Sequence, residues 1–224
     1  MKWFTSLFSS TLGKKLLMAL TGLFLILFLL IHLIGNLQLL KSDGGQAFNI
    51  YARFMTTNPL IMTVSYLNYA AILLHVGWAF FLTIRNRAAR GPQGYAVNKN
   101  SSAWTSRNMG ILGTLVLIFL VIHLKGFWAE MHWGAITYKN YDGVEVKDLY
   151  LVVDEAYQSL VYVGIYVFSM GALAFHLWHG FTSAFQTLGM NHMKYNPMIR
   201  FIGKGFAIIV PALFALIPIW MYLN

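Results

Sequence analysis

Histidines inside long apolar stretches are the residues of this sequence with the most evident chemistry. Five of the seven histidines lie in such stretches: His32, His75, His123, His176 and His179. Imidazole nitrogens bind haem iron and carry protons, and an ionisable side chain in lipid is costly enough to mark a functional site by default. A hydrogen bond to a neighbouring helix explains any single one equally well. Four on successive stretches favour a shared role as metal ligands.

The depths of four histidines divide them into two pairs. With a rise of about 1.5 Å per residue, His32 and His123 lie roughly 24 and 22 Å from the inner ends of stretches one and three. Stretches two and four run the other way, which puts His75 and His176 roughly 14 Å from the inner ends of theirs. Side chains on facing helices hold cofactors in bundle cores, so one pair in each half of the membrane suits two bis-histidine haems. Glycines in the same stretches, among them Gly22, leave room for a flat macrocycle.

The composition excludes several other kinds of metal or ligand chemistry. The chain has no cysteine, which removes disulfides, thiolate zinc sites, iron–sulfur clusters and c-type haem. The 11 methionines have no spacing that requires them as ligands, and we interpret them as core filler. The net charge is +9, but no dense basic run with interleaved aromatic residues indicates nucleic-acid binding.

Five membrane-spanning helices must position these histidines. The sequence is 58% hydrophobic and 10% charged, a composition suited to lipid. It predicts an all-α membrane protein with one integral membrane domain over residues 1–224, in which the first four spans form a haem-binding bundle and the fifth packs against it. The predicted spans are approximately 16–40, 59–84, 108–131, 156–187 and 200–222. The first apolar run is too long for a signal peptide and lacks a small-residue cleavage site, so we interpret it as a permanent span.

The distribution of charge predicts the orientation. Eleven of the sixteen Lys and Arg residues lie before span one, between spans two and three, or just before span five, while all seven acidic residues lie in the other connections. By the positive-inside rule, the N-terminus is cytoplasmic and the C-terminus is outside. Between spans three and four, the turn signal Tyr141-Asp142-Gly143 predicts a small β-hairpin.

The ordered histidines and their flanking residues resemble a known family. Met18-Ala-Leu-Thr-Gly-Leu-Phe-Leu before His32, then His75, Val-Ile-His123-Leu and His176-Leu-Trp-His-Gly180 resemble the dihaem cytochrome b subunit of succinate:quinone oxidoreductases and quinol:fumarate reductases. The similarity covers nearly the whole chain and is closest to the single-subunit, five-helix type. It implies that His32 and His123 bind an outer haem b, and that His75 and His176 bind an inner one. His176 is preferred because the family places its ligand four residues before a glycine, here Gly180. His179 is then an extra histidine placed to meet a propionate of the inner haem.

The resemblance also implies partners and a location. The family anchors a flavoprotein subunit, which holds the enzymatic active site, and an iron–sulfur subunit at the cytoplasmic face of the bacterial inner membrane. Two haems b relay electrons to or from a membrane quinone, which we expect to be menaquinone. Membrane lipid is a further partner, and a higher oligomer of the complex stays open. Some relatives have a glutamate, implicated in proton movement across the membrane, two residues before the helix-four ligand. This chain has Ala174 there, which has no ionisable group.

Polar residues after span one are candidates for the quinone site beside the outer haem. They supply hydrogen-bonding groups next to an apolar region: Asn36, Gln38, Gln46, Asn49, Tyr51 and Arg53. A solvated loop explains each of them equally well. Arg85, Arg87 and Arg90 suit either an acidic iron–sulfur partner or haem propionates, and the positive-inside rule alone also accounts for them.

Two other functions remain open from the sequence. A cytochrome b anchor of a hydrogenase or formate dehydrogenase is also a small quinone-linked bundle, although one histidine on each of four successive helices favours the first interpretation. A haem-free transporter or proton channel uses intramembrane histidines as relays. Purified protein of that kind would be colourless.

Overall fold

The computed structural model describes residues 10–90 and 104–224, except for the side chain of Arg90. Two of the eleven basic residues that predict the orientation, Lys2 and Lys99, therefore lie outside the described residues. The helices and strands, in chain order, are α1 Thr11–Asn36, a 3-10 turn Leu37–Leu40, α2 Gln46–Thr57, α3 Pro59–Arg90, α4 Trp104–Arg107, α5 Met109–His123, a π-helical segment Leu124–Ala129, α6 Glu130–Trp133, β1 Tyr138–Tyr141, β2 Val144–Lys147, α7 Leu149–Tyr157, α8 Leu160–Thr187 and α9 Asn196–Leu223.

Five helical segments are long and apolar enough to cross a membrane, as expected for an all-α membrane protein. We number them as spans one to five: Thr11–Leu40, Pro59–Ala89, Met109–Trp133, Leu160–Thr187 and Asn196–Leu223. Span one begins before residue 16, because the Ser10 hydroxyl accepts a hydrogen bond from the Gly13 amide and caps the helix. Span three continues through Lys125 to Trp133, as the sequence indicated, although part of it is π-helical.

The chain breaks where the sequence indicated one uninterrupted span from residue 156. Helix α7 ends at Tyr157, and span four begins at Leu160 with the Ser159 side chain accepting from the Tyr162 amide. Hydroxyl caps of this kind satisfy amides that have no partner inside the helix. The apolar pattern does not reveal the break, because α7 is itself rich in apolar residues.

A small layer of secondary structure lies between the spans at one end of the bundle. The predicted hairpin is confirmed, with antiparallel pairs from Tyr138↔Lys147 to Tyr141↔Val144 and a turn in which Asp142 and Gly143 have positive φ. Helix α2, which the sequence analysis did not predict, and α7 both belong to this layer. We call this the hairpin end, and the opposite end, with Lys14, Arg85 and Arg200, the basic end.

The spans pack in a ring rather than a row. Span one packs against spans two and four, and span three packs against span four and less extensively against span two. In the part of the chain that the structure describes, spans one and three face each other without extensive backbone contact, as do spans two and four. Span five packs mainly on span four, where Ala207 is fully buried. The two diagonals of this ring are the directions along which the histidines meet.

Candidate metal centres in the bundle

Two histidine pairs bridge the diagonals of the bundle. The rings of His32 on span one and His123 on span three have centroids 5.8 Å apart, with an interplanar angle of 88°. The rings of His75 on span two and His176 on span four have centroids 6.4 Å apart, with an angle of 66°. A metal ion bound by two imidazole nitrogens at about 2 Å each separates the ring centroids by about 6 Å. Both pairs therefore have the spacing of two imidazole ligands of one ion.

The same spacing of glycine and histidine recurs on spans one and three. An ideal Cβ on Gly22 would lie 3.4 Å from Cε1 of His75, and one on Gly113 would lie 3.6 Å from Cε1 of His176. Each glycine precedes the histidine of its own span by ten residues, which separates the two histidine levels by about 15 Å. A larger side chain at either glycine would press on the ring opposite. The glycines thus let the His75–His176 pair lie close to the neighbouring backbones.

Hydroxyl groups on neighbouring spans contact Nδ1 of one histidine in each pair. The Thr21 hydroxyl lies 3.2 Å from Nδ1 of His75 and can donate to the Leu17 carbonyl at 2.8 Å, which leaves its oxygen free to accept. The Tyr166 hydroxyl lies 3.3 Å from Nδ1 of His123. A hydroxyl that accepts from Nδ1–H favours the tautomer with its proton there and leaves Nε2 to bind a metal.

A second tyrosine extends the contact at His123. The hydroxyls of Tyr162 and Tyr166 lie 3.2 Å apart, one helical turn from each other on span four. Gly126 on span three makes room for the Tyr162 hydroxyl, which a Cβ at that position would meet. The hydrogen-bonded chain therefore runs from His123 through both tyrosines toward the hairpin end.

Aromatic rings surround the His32–His123 pair. Phe28 stacks on His32 with centroids 5.2 Å apart, and Phe214 of span five lies 5.7 Å from the same ring. Phe119 and Phe127 flank His123 at 5.6 and 5.4 Å. Span five thus contributes a ring to this site besides its packing on span four. The apolar surroundings exclude water and suit a large flat group.

His176 and His179 lie in different surroundings on span four. Nδ1 of His176 is buried and has no hydrogen-bond partner among residues 10–90 and 104–224. His179, one turn nearer the basic end, is half-buried. Only His176 has its ring against Gly113 and next to His75. The geometry of the His75–His176 pair therefore favours His176, the ligand that the sequence analysis preferred.

The donor set fits haem b. Haem iron takes neutral imidazole nitrogen on its two axial positions, and a cluster of three or more ligands is not required. Where the structure describes the chain, His, Cys, Asp and Glu side chains form no such larger cluster, so the two histidine pairs are the candidate ligands. Their imidazole donors, their spacing and the glycines beside His75 and His176 all suit this cofactor.

The six quinone candidates do not form one site. Asn36 lies beside the His32–His123 pair: its Nδ2 donates to the His32 carbonyl at 2.7 Å and lies 3.4 Å from His32 Nδ1. Tyr51 on α2 packs on Gly35 of span one and can donate to the Ile31 carbonyl at 3.5 Å. The remaining four lie farther along the hairpin end, where Gln38 and Gln46 are half-buried, Arg53 is exposed and Asn49 is buried.

Asn49 is committed to contacts inside the hairpin end. Its Nδ2 donates to the Asp148 carboxylate at 2.8 Å, and its Oδ1 accepts from the Tyr150 amide at 2.9 Å. Lys139 pairs with the same carboxylate at 3.0 Å. Burial opposes ionisation of Asp148, but the hydrogen bonds from Asn49 and Lys139 outweigh it and hold the pKa of Asp148 below its usual range. This network joins α2 to the hairpin and α7.

Sequence reasoning missed the residues that support the histidines. Thr21 lies in the quoted run that begins at Met18 but was given no role there. Tyr166 is an ordinary member of an apolar span, and only its depth could have indicated a role. Tyr166 precedes His176 by ten residues on a span that runs opposite to span three, so the rise per residue puts it at the level of His123.

Comparison of the chain with protein-family models, with curated proteins and with solved structures gives no match.

Proposed function

We propose that this chain is the membrane anchor and electron-transfer subunit of a succinate:quinone oxidoreductase or quinol:fumarate reductase. One observation carries the proposal: two histidine pairs bridge opposite diagonals of a four-span ring, with centroids 5.8 and 6.4 Å apart. The two levels are about 15 Å apart along the spans. The order of these histidines along the chain and the glycine after the fourth are those of the dihaem family that the sequence resembles.

The two histidines of each pair would hold one haem iron. A b-type haem, when bound, supplies a one-electron carrier whose potential depends on its ligands, hydrogen bonds and burial. His32 and His123 present imidazole nitrogens in an aromatic enclosure, and the Tyr166 hydroxyl orients the ring of His123. His75 and His176 present theirs against two glycines, and Thr21 orients the ring of His75. Neither pair needs another ligand from the chain.

The charge distribution supports an orientation for the two pairs in the membrane. The basic end faces the cytoplasm under the positive-inside rule. The His75–His176 pair is then the inner one, on the side where an iron–sulfur subunit and a flavoprotein subunit dock. The His32–His123 pair is the outer one, near the quinone. The C-terminus lies outside.

Two of the polar candidates suit the quinone best. Asn36 lies one helical turn after His32, and the Tyr51 hydroxyl lies 3.5 Å from the carbonyl oxygen of Ile31, the residue before His32. A quinone head group at this position would be close to the outer haem. Arg53 is on the same helix as Tyr51 and exposed, so its guanidinium is available to a quinone carbonyl oxygen. These side chains supply the few polar anchors that a largely apolar pocket requires. We expect menaquinone as the natural substrate.

Purification of the intact complex tests this function. The chain is tagged, extracted in mild detergent from its own membrane, and its bound subunits are identified. We expect a flavoprotein and an iron–sulfur subunit, together with succinate-dependent reduction of a quinone analogue. Hydrogenase or formate dehydrogenase subunits in their place would favour the related cytochrome b anchor. A colourless chain without soluble partners would favour a transporter or proton channel.

A further inference from the structure

A buried lysine at the basic end has no carboxylate of this chain to pair with. Lys14 of span one is 8% exposed. All seven acidic residues belong to segments at the hairpin end, so the sequence itself supplies no counterion here. A buried charge is costly unless it is paired and hydrogen-bonded. The position therefore calls for an anion from outside the chain.

Lys14 shares an aromatic ring with a second cation. Its Nζ lies 4.4 Å from the centroid of Phe81 on span two, and the guanidinium carbon of Arg85 lies 5.7 Å from the same centroid. Cation–π contacts offset part of the cost of burying a charge. They do not neutralise two positive charges around one ring, so the local field favours a negative ligand.

An unpaired indole donor lies beside the same ring. Trp78 packs on Phe81 with ring centroids 6.1 Å apart. Its Nε1 atom is buried without a hydrogen-bond partner among the described residues. Indole nitrogen is a donor only, and buried donors are normally satisfied. Trp78 therefore needs an acceptor in the region where Lys14 needs an anion.

Both donors are displaced from the His75–His176 pair toward the basic end. Lys14 precedes Thr21, which contacts His75, by seven residues and so lies on the same face of span one, about 10 Å away along the axis. Trp78 follows His75 by three residues, about 5 Å along span two. An anionic arm that extends from a group held by His75 toward the basic end would pass Trp78 and reach Lys14.

We propose that Lys14 and Trp78 bind a propionate carboxylate of the inner haem. This inference rests on the proposed function. A carboxylate accepts hydrogen bonds from an ammonium and an indole N–H together, and the charge-assisted one is the stronger. A lipid phosphate fits less well, because Lys14 is buried with its Nζ against the Phe81 ring, whereas the next residue, Lys15, is exposed and suited to head groups.

Redox titration of both haems in the purified complex tests the proposal. In Lys14→Met, we expect one of the two haem transitions to move to lower potential, because loss of a positive charge beside the propionate favours ferric iron. Lys14→Arg keeps the charge and should retain the wild-type transition. Trp78→Phe should move the same transition in the same direction. That transition belongs to the inner haem if Thr21→Val also moves it.

Lys15→Met is the matched control, since it removes the same charge one residue away on an exposed side chain. An equal shift in this variant would overturn the proposal, because it would reflect the general field. Wild-type potentials in Lys14→Met would also overturn it, and a loss of co-purifying anionic lipid in that variant would then assign Lys14 to a phosphate. Where Lys14→Met does not assemble, wild-type potentials in Trp78→Phe overturn the proposal. A colourless wild-type complex would refute the proposed function itself, and this inference with it.

Discussion

The Thr21 hydroxyl of span one lies 3.2 Å from Nδ1 of His75 on span two. Thr21 can donate its own proton to the main chain one turn earlier, so its oxygen is able to accept from the imidazole. A hydrogen bond of this kind raises the basicity of the ring and fixes its orientation. Under the proposed function, Thr21 would link the packing of two spans to the electronic properties of a haem held by His75 and His176.

Replacement of Thr21 by valine should raise the potential of the inner haem. The imidazole of His75 would lose the Thr21 oxygen as an acceptor and would stabilise ferric iron less. A tenfold change in the preference for ferric over ferrous iron corresponds to about 60 mV, and we expect a shift of that order. Redox titration followed at the haem α-band measures it. Thr21→Ser keeps the hydroxyl and should leave the potential unchanged; an equal shift in both variants would contradict this role.

Replacement of Tyr166 by phenylalanine should act on the other haem. His123 loses its 3.3 Å contact to the Tyr166 hydroxyl, so the outer haem should shift to higher potential by a similar amount, about 60 mV. Both haems should remain bound. Tyr162→Phe removes only the next hydroxyl of the chain and should cause a smaller shift. If Tyr166→Phe instead moves the same haem transition as Thr21→Val, then Tyr166 does not tune the outer haem.

His176 and His179 should differ in their effect on haem content. His176→Ala removes the ring that lies 6.4 Å from His75, and we expect loss of the inner haem, accompanied by poor assembly. His179→Ala should retain two haems with at most a shifted potential, because His179 lies one turn away and is half-buried. The pyridine haemochrome spectrum measures both. Loss of haem in His179→Ala with a normal spectrum in His176→Ala would reverse the assignment.

Asn49 and Arg53 should separate assembly from quinone chemistry. Asn49→Ala removes the hydrogen bond to Asp148 and the acceptor of the Tyr150 amide, and unsatisfied buried groups cost about 1–3 kcal/mol each. We expect equal loss of succinate-to-quinone and succinate-to-dye activity, through lower amounts of complex. Arg53→Ala, at an exposed position, should slow only the reaction with quinone. Equal loss of both activities in Arg53→Ala would remove it from the quinone site.

The sequence was sufficient to predict the number of spans and which histidines meet. Helical rise is regular, so counting residues from the ends of apolar runs gives depth to within a few ångströms. His32 and His123 could therefore be matched without any knowledge of packing. The hairpin was also predictable, because its two-residue turn requires backbone conformations that Asp-Gly adopts more readily than most residue pairs.

The remaining features depend on contacts between residues far apart in the chain. In the sequence, Asn49 resembles a polar residue of an ordinary loop. Only the fold shows that its amide nitrogen and amide oxygen both form hydrogen bonds with residues near position 150. The break before Leu160 was missed because Ser159, which caps span four, lies within a largely apolar run and does not stand out as a helix start. Lys14 carries no sequence signal that separates it from Lys15, and the difference between them arises from how span two covers span one.

Haem content per chain tests the central claim most directly. The purified complex is analysed as pyridine haemochrome, with the amount of this chain measured independently. The two histidine pairs predict two haems b per chain, both low-spin with two imidazole ligands, and electron paramagnetic resonance checks the spin state. One haem per chain would contradict the pairing of the histidines at two levels, and a haem-free chain would contradict an electron-transfer function altogether.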